Sequence, residues 1–190
     1  MSRFFWVRHG PTHAKSMVGW SDLPADLSDH AQIARLSAAL PADAVIISSD
    51  LIRASATAAA IAAGRQRLPH DPDLREIHFG DWELARFDEV EDQDRLRAYW
   101  EEPGDVRPPG GESWHEVSAR VTGAVDRLLE AHQGRDVIVV AHFGVILTQV
   151  QRALGLGTYE AFGHRIDNLS VTEIHRDGSG WRVMRINHLH

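Results

Sequence analysis

Phe4-Phe5-Trp6-Val7-Arg8-His9-Gly10-Pro11 is where the fold begins to be readable. A short, unbroken apolar run reads as a strand covered on both faces, as in the middle of a parallel sheet. It stops abruptly in two basic residues and a Gly-Pro turn. The same grammar recurs twice. Ala44-Val45-Ile46-Ile47 gives way to Ser48-Ser49-Asp50, and Val137-Ile138-Val139-Val140 gives way to Ala141-His142-Phe143-Gly144.

Helical stretches separate these runs. Asp29 to Leu40 follows Ser28, a candidate N-cap, and stops before Pro41. Asp50 to Ala63 places Leu51, Ala54, Ala58 and Ile61 on one stripe and stops at Gly64. From Ser113 to Gln133, Ser113 and Glu116 predict a capping box, and Val117, Val121, Val125, Leu128 and Leu129 recur at helical spacing. Val145 to Leu154 is a further helix, closed by Gly155. Val171 to His175 and Trp181 to Asn187 flank Arg176-Asp177-Gly178-Ser179-Gly180, a hairpin signal. Strands alternating with helices predict an α/β fold around a mostly parallel sheet with an antiparallel edge. Residues 81–112, with Trp82, Trp100 and a Pro108-Pro109-Gly110-Gly111 turn, read as a half-helical excursion of the kind that covers a site.

Composition bounds the function. At 190 residues the expectation is one domain spanning residues 1–190. Hydrophobic residues at 43% and charged residues at 25% argue against wholesale disorder. A net charge of −7 carries no whole-chain basic footprint for nucleic acid. The chain has no Cys, which removes disulfides and thiolate zinc sites. No apolar run approaches the roughly 20 residues of a membrane-spanning helix. The apolar start is too short for a signal peptide, so a cytoplasmic location is expected. Twelve His is the unusual number in the composition and calls for an explanation.

Ligands of open α/β sheets bind beyond the carboxyl ends of the strands. If the three apolar runs are parallel neighbours, Arg8, His9, Arg53 and His142 meet in one crevice. Singly each has an ordinary reading: an ion pair, a loop histidine, a solvated helix face. Together they make a positive pocket in an acidic protein, suited to a compact anion such as phosphate. A neutral imidazole there can attack phosphorus and carry the phosphoryl group, splitting one displacement into two. Flanking cations would stabilise the equatorial oxygens, and a carboxylic acid at the rim would protonate the leaving alkoxide.

At these residues the sequence resembles the histidine phosphatase superfamily, in its phosphoglycerate mutase-like branch. Arg8-His9-Gly10 with Thr12 is similar to its R-H-G-x-T signature. Ser48 to Ala54 with Thr57-Ala58, Leu74 to Glu83, Gly110 to Ser113 with Arg120-Val121, Val140 to Ile146, and Asn168 to Val171 resemble its later blocks, in order. The resemblance implies a three-layer α/β/α sandwich. It implies His9 as phosphoryl-accepting nucleophile, with Arg8, Arg53, His142 and Thr12 around the phosphoryl group and Glu76 as proton donor. It implies no metal and no organic cofactor, and a small-molecule phosphate ester as the partner.

Four positions depart from the family pattern. Lys15 stands where Asn is common, and retains reach toward an anion as a point charge. Leu84, Phe143 and Ala31 stand where Gly is usual. No core catalytic group is lost. The expected activity is phosphomonoester hydrolysis through a phosphohistidine. A phosphoglycerate mutase-type transfer and an α-ribazole phosphatase activity are the alternatives within the family. A metal hydrolase lacks its motif, because His9 and His13 flank Pro11 on a loop and no H-E-x-x-H occurs. A non-catalytic phosphate-binding module would not need the full set of nucleophile, cations and acid.

Overall fold

The computed structural model describes residues 1–190. Five strands, β1 (Ser2–Arg8), β2 (Val45–Ser48), β3 (Asp136–Ala141), β4 (Val171–Asp177) and β5 (Gly180–His188), form one sheet in the order β2-β3-β1-β4-β5. The three apolar runs are the parallel neighbours β2, β3 and β1, with Val7 opposite Val140 and Ile47 opposite Val139. The antiparallel part is larger than a single edge strand. β4 pairs antiparallel with β1, and β5 returns antiparallel along β4, so the sheet is mixed.

Unbroken apolar runs are required because each strand feeds two cores. Phe4, Trp6, Val45, Ile47, Val137 and Val139 point into one. Phe5, Val7, Ile46, Ile138 and Val140 point into the other. The first face is covered by α4 (Trp114–Ala131) and α5 (Phe143–Leu154), the second by α1 (His30–Ala39) and α2 (Ile52–Ala60). These are the three layers that the resemblance implied. Trp6 and Trp114 are each only 1% exposed and anchor the larger core. No helix is long and apolar enough to cross a membrane.

Local chemistry sets the boundaries. The capping box of α4 forms as expected: Glu116 N donates to Ser113 Oγ at 3.3 Å and Ser113 N donates to Glu116 Oε2 at 2.8 Å. The N-cap of α1 is Asp29 and not Ser28. Asp26 Oδ1 accepts from Ser28 N at 2.9 Å, which ties Ser28 into an Asx turn, and Asp29 then accepts from Gln32 N. The second helix begins at Ile52, two residues later than expected, because Asp50 is held by Arg75. Its first turn borrows a cap from elsewhere, Asp22 Oδ1, which accepts from Ile52 N at 2.7 Å. It also ends early, at Ala60, ahead of positive φ at Ala63 and Gly64.

The 81–112 excursion contains two 3₁₀ turns, at its start (Gly80–Trp82) and at Phe87–Glu89, followed by α3 (Gln93–Glu101). A one-turn helix, α6 (Thr158–Ala161), follows α5 and has no periodic signal in the sequence.

Candidate active site

The carboxyl ends of β1, β2 and β3 open onto a cavity of about 220 Å³ whose lining includes Arg8, His9, Thr12, Arg53 and Glu76. A larger groove of about 830 Å³ lies between α1 and α2. It is mostly apolar, and its one guanidinium, Arg65, is saturated by the carbonyls of Ser37, Leu40, Pro41 and Ile61. Convergent charge, not size, marks the smaller cavity as the site.

His9 is the residue after β1, 6% exposed. Its Nδ1 donates to the Gly10 carbonyl at 2.7 Å. A carbonyl can only accept, so the proton sits on Nδ1 and the lone pair on Nε2. Arg53 Nε donates toward that lone pair at 3.3 Å. Burial, reinforced by the Arg53 and Arg8 charges, pushes the His9 pKa down to about 3, so the ring is neutral at neutral pH. Asn168 Nδ2 donates to the His9 carbonyl at 2.8 Å and fixes the backbone from β4's side.

His142 follows β3 and occupies the N-cap of α5, beside His9 because β1 and β3 are paired up to Arg8 and Ala141. The two imidazole centroids lie 5.0 Å apart. His142 Nε2 shares a 2.7 Å hydrogen bond with Ser49 Oγ at the end of β2, while Nδ1 is buried without a protein partner. Burial first, and then the neighbouring His9 and Arg53, hold its pKa well below the usual imidazole value.

Arg53 is 1% exposed on the first turn of α2. Its NH1 donates to Ser21 O at 2.9 Å and its NH2 to Gly19 O at 2.6 Å. Arg8 donates through NH1 to Ile166 O at 2.6 Å, and its Nε is buried without a partner. Neither guanidinium makes an ion pair, although Arg75 and Arg120 nearby do. Burying a cation without an anion is costly, and two such cations beside one cavity mark an anion site.

Glu76 sits against the start of α5, where Gly144 N donates to Oε1 at 3.0 Å, and Ile77 N donates to the same oxygen at 3.1 Å. Both bonds favour the carboxylate, but burial outweighs them and raises the pKa. Gly144 is required here: a Cβ at that position would lie 2.6 Å from Glu76 Oε1. Thr12 lines the cavity. Lys15 does not. Its side chain is exposed, while Ala14 and Ser16 on either side of it reach the wall. Two site residues named from the sequence therefore lie outside the lining: Lys15, which is exposed, and His142, which is fully buried beside His9. His13 pairs with Asp26 at 2.8 Å and not with His9.

The supporting shell was harder to see in the sequence. Glu83 accepts from Gly19 N, Trp20 N, Ser21 N, Ser21 Oγ and Phe79 N. It thereby shapes the 19–21 loop whose carbonyls hold Arg53. Thr57 Oγ1 donates to Arg53 O and accepts from Gly10 N. Arg120 chelates Glu112 and donates to the carbonyls of Asp73, Arg75 and Glu76. Glu112 is thus fully engaged behind Glu76. The signal for Glu83 was present in Gly80-Asp81-Trp82-Glu83, but only the folded loop shows what it does. No group of three or more His, Asp or Glu is arranged to hold a metal ion.

Residues 4–189 match the model of the histidine phosphatase superfamily, branch 1. The chain is 29% identical to the adenosylcobalamin/alpha-ribazole phosphatase of Escherichia coli, over 96% of this chain and 95% of the relative. It is 30% identical to a bifunctional protein of Mycobacterium tuberculosis across 94% of this chain, and spans about half (52%) of that relative's length. Among solved structures, YhfR of Bacillus stearothermophilus superposes with a TM-score of 0.91 at 29% identity, covering 100% of this chain and 98% of that one. A mycobacterial glucosyl-3-phosphoglycerate phosphatase in complex with VO3 superposes with a TM-score of 0.85 at 29% identity, covering 98% of each chain. Fold, matched residues and relatives coincide: the chain belongs to branch 1 of the histidine phosphatase superfamily.

Proposed function

We propose that the chain is a metal-independent phosphomonoesterase that acts on a small phosphorylated metabolite through a phosphohistidine at His9. The observation that carries this reading is the His9 ring itself: neutral, with its Nδ1 proton committed to Gly10 and its Nε2 lone pair facing a buried, unpaired Arg53. In the first step Nε2 attacks phosphorus and the ester P–O bond breaks. The Glu76 carboxyl, whose pKa burial raises, gives its proton to the departing alkoxide. In the second step water attacks the phosphohistidine and passes a proton to the Glu76 carboxylate. The P–N bond breaks, phosphate leaves, and both residues return to their starting state.

Arg8, Arg53 and Thr12 would hold the phosphoryl oxygens, and His142, its ring 5.0 Å from that of His9, would stabilise charge through its unpartnered Nδ1. Such fixed donors act where charge develops and need little reorganisation. The solved relatives include phosphatase complexes with VO3 and with inorganic phosphate, which supports a tetrahedral oxyanion as the guest. The alternative is a phosphoglycerate mutase-type transfer, and relatives carrying that name are 31% identical over 95% of this chain. A transferase must hold a second acid while excluding water, and the lining offers no charged group beyond the phosphoryl set. The test is His9→Ala assayed on an aryl phosphate. Loss of turnover by at least ~10³-fold is expected, within the range for a lost nucleophile, and wild-type turnover would remove the covalent mechanism.

A further inference from the structure

The reacting end of the cavity is charged, but its outer wall is not. Beyond the catalytic and phosphoryl-binding set, the wall is made chiefly by Met17, Val18 and four rings, Phe79, Phe87, Trp100 and Phe143. Trp100 is a fixed platform. Its centroid lies 6.2 Å from Phe79, 5.9 Å from Phe87 and 5.4 Å from Phe162. Phe143 opens α5 immediately after His142, and the Arg8 guanidinium lies over its ring at 5.5 Å. One aromatic side chain thus borders both the phosphoryl-binding cation and the apolar wall.

No further cation is available there. Lys15 is exposed and outside the lining. Arg75 is neutralised by Asp50, and Arg120 by Glu112. A second anionic group on the substrate would lose its hydration against aromatic rings and find no cation, only a neutral donor such as the Ser16 hydroxyl in that part of the lining. An apolar alcohol would lose little and gain contact area with three rings.

We propose that Phe143, Trp100 and Phe87 form a leaving-group subsite that takes an uncharged, apolar or aromatic alcohol and rejects esters bearing a second anion. The claim deepens the phosphomonoesterase reading and rests on it for the words leaving group. The subsite itself is a binding claim and is tested by binding.

Two measurements on the intact chain separate the claims. The first is binding of non-hydrolysable phosphonates to the wild type. Benzylphosphonate should bind at least tenfold more tightly than phosphonoacetate, which carries a carboxylate in place of the ring. The second is turnover of alkyl esters with comparable leaving alcohols, n-butyl phosphate and 3-phosphoglycerate, so that intrinsic reactivity does not bias the comparison. Butyl phosphate should have the higher kcat/KM by tenfold or more, mainly through KM. Phe143→Ala and Trp100→Ala should each shrink that ratio severalfold. Phosphonoacetate binding as tightly as benzylphosphonate overturns the subsite, even if esters are hydrolysed. Apolar preference in binding without any ester hydrolysis overturns the functional reading and leaves the subsite standing. Folded variants that keep the wild-type ratio place the selectivity elsewhere and overturn the assignment to these rings. Should a variant fail to fold, the phosphonate pair on the wild type still decides.

Discussion

Arg53 Nε lies 3.3 Å from His9 Nε2, and the remaining guanidinium nitrogens of Arg53 donate to the carbonyls of Ser21 and Gly19. The guanidinium is therefore held by backbone while one N–H faces the His9 Nε2 lone pair. An incoming phosphoryl group would take over that donor as the P–N bond forms, so its stabilisation grows toward the transition state.

Replacing Arg53 by Lys keeps the charge but removes the fork that two carbonyls orient. kcat on an aryl phosphate should fall by about 10²–10³-fold, the range found when one transition-state donor is lost. A KM change alone, with kcat intact, would make Arg53 a ground-state binding residue only.

Glu76 should reveal itself through leaving-group dependence. Glu76→Gln cannot donate a proton, so turnover of an alkyl phosphate should fall at least tenfold more than that of a p-nitrophenyl ester, whose oxyanion leaves unaided. Burial raises the Glu76 pKa, and only the protonated form can donate. Activity on the alkyl ester should accordingly decline as pH rises through that raised value, and this limb should be missing from the variant. Equal losses on both esters would move the acid to another residue.

Acid sensitivity follows from the two buried imidazoles. The folded-state pKa of His9 lies at about 3, below its unfolded value of 6.5, and that of His142 is lowered as well. Between these values the unfolded chain binds more protons, so stability present above pH 6.5 is lost as pH falls toward 3. For His9 alone the loss at pH 5 is about 2 kcal/mol, from 1.36 kcal/mol per pH unit below the unfolded pKa. Urea unfolding of wild type and His9→Asn at pH 7.5 and pH 5 measures it. The variant should lose less stability over that interval, and equal losses would assign the sensitivity to other groups.

Leu84 has φ of +65° and is half exposed. Its N–H donates to the carbonyl of Met17, a cavity-lining residue, at 2.8 Å. An L side chain there costs of order 1 kcal/mol relative to Gly. Leu84→Gly should raise the urea unfolding free energy by about that amount, less the entropy Gly adds to the unfolded chain. A clear destabilisation would show that the Leu side chain contributes packing that outweighs its backbone strain.

The sequence made some of this legible and not the rest, for physical reasons. Runs such as Phe4–Val7 and Val137–Val140 announce a two-faced sheet because strands feeding two cores cannot afford polar residues. The Ser113–Glu116 box is local, so it was readable as written. Ser28 failed as an N-cap because Asp26, two residues upstream, captures its backbone first. The start of α2 depends on Asp22, 30 residues away, which no local pattern encodes. His9, Arg53, Glu76 and His142 were nameable from motif and strand ends. Lys15 was not excluded, because a motif position does not say which way a loop side chain points, and here Ala14 and Ser16 line the wall while Lys15 is exposed. Glu83 stood in a family-like block, but what it does was not legible, because four of its five donors are backbone N–H groups of residues 19–21 and 79, which side-chain identity does not encode.

The central claim is that the His9 ring carries the phosphoryl group. Rapid quenching of the wild-type chain with a ³²P-labelled ester into alkali, where phosphohistidine survives, followed by peptide mapping, tests it directly. The account predicts label on the peptide containing His9, at up to one phosphoryl per chain, discharged by water on the timescale of turnover and absent from His9→Ala. Label on a serine or carboxylate, or undiminished turnover by a chain that cannot be labelled at position 9, would contradict it.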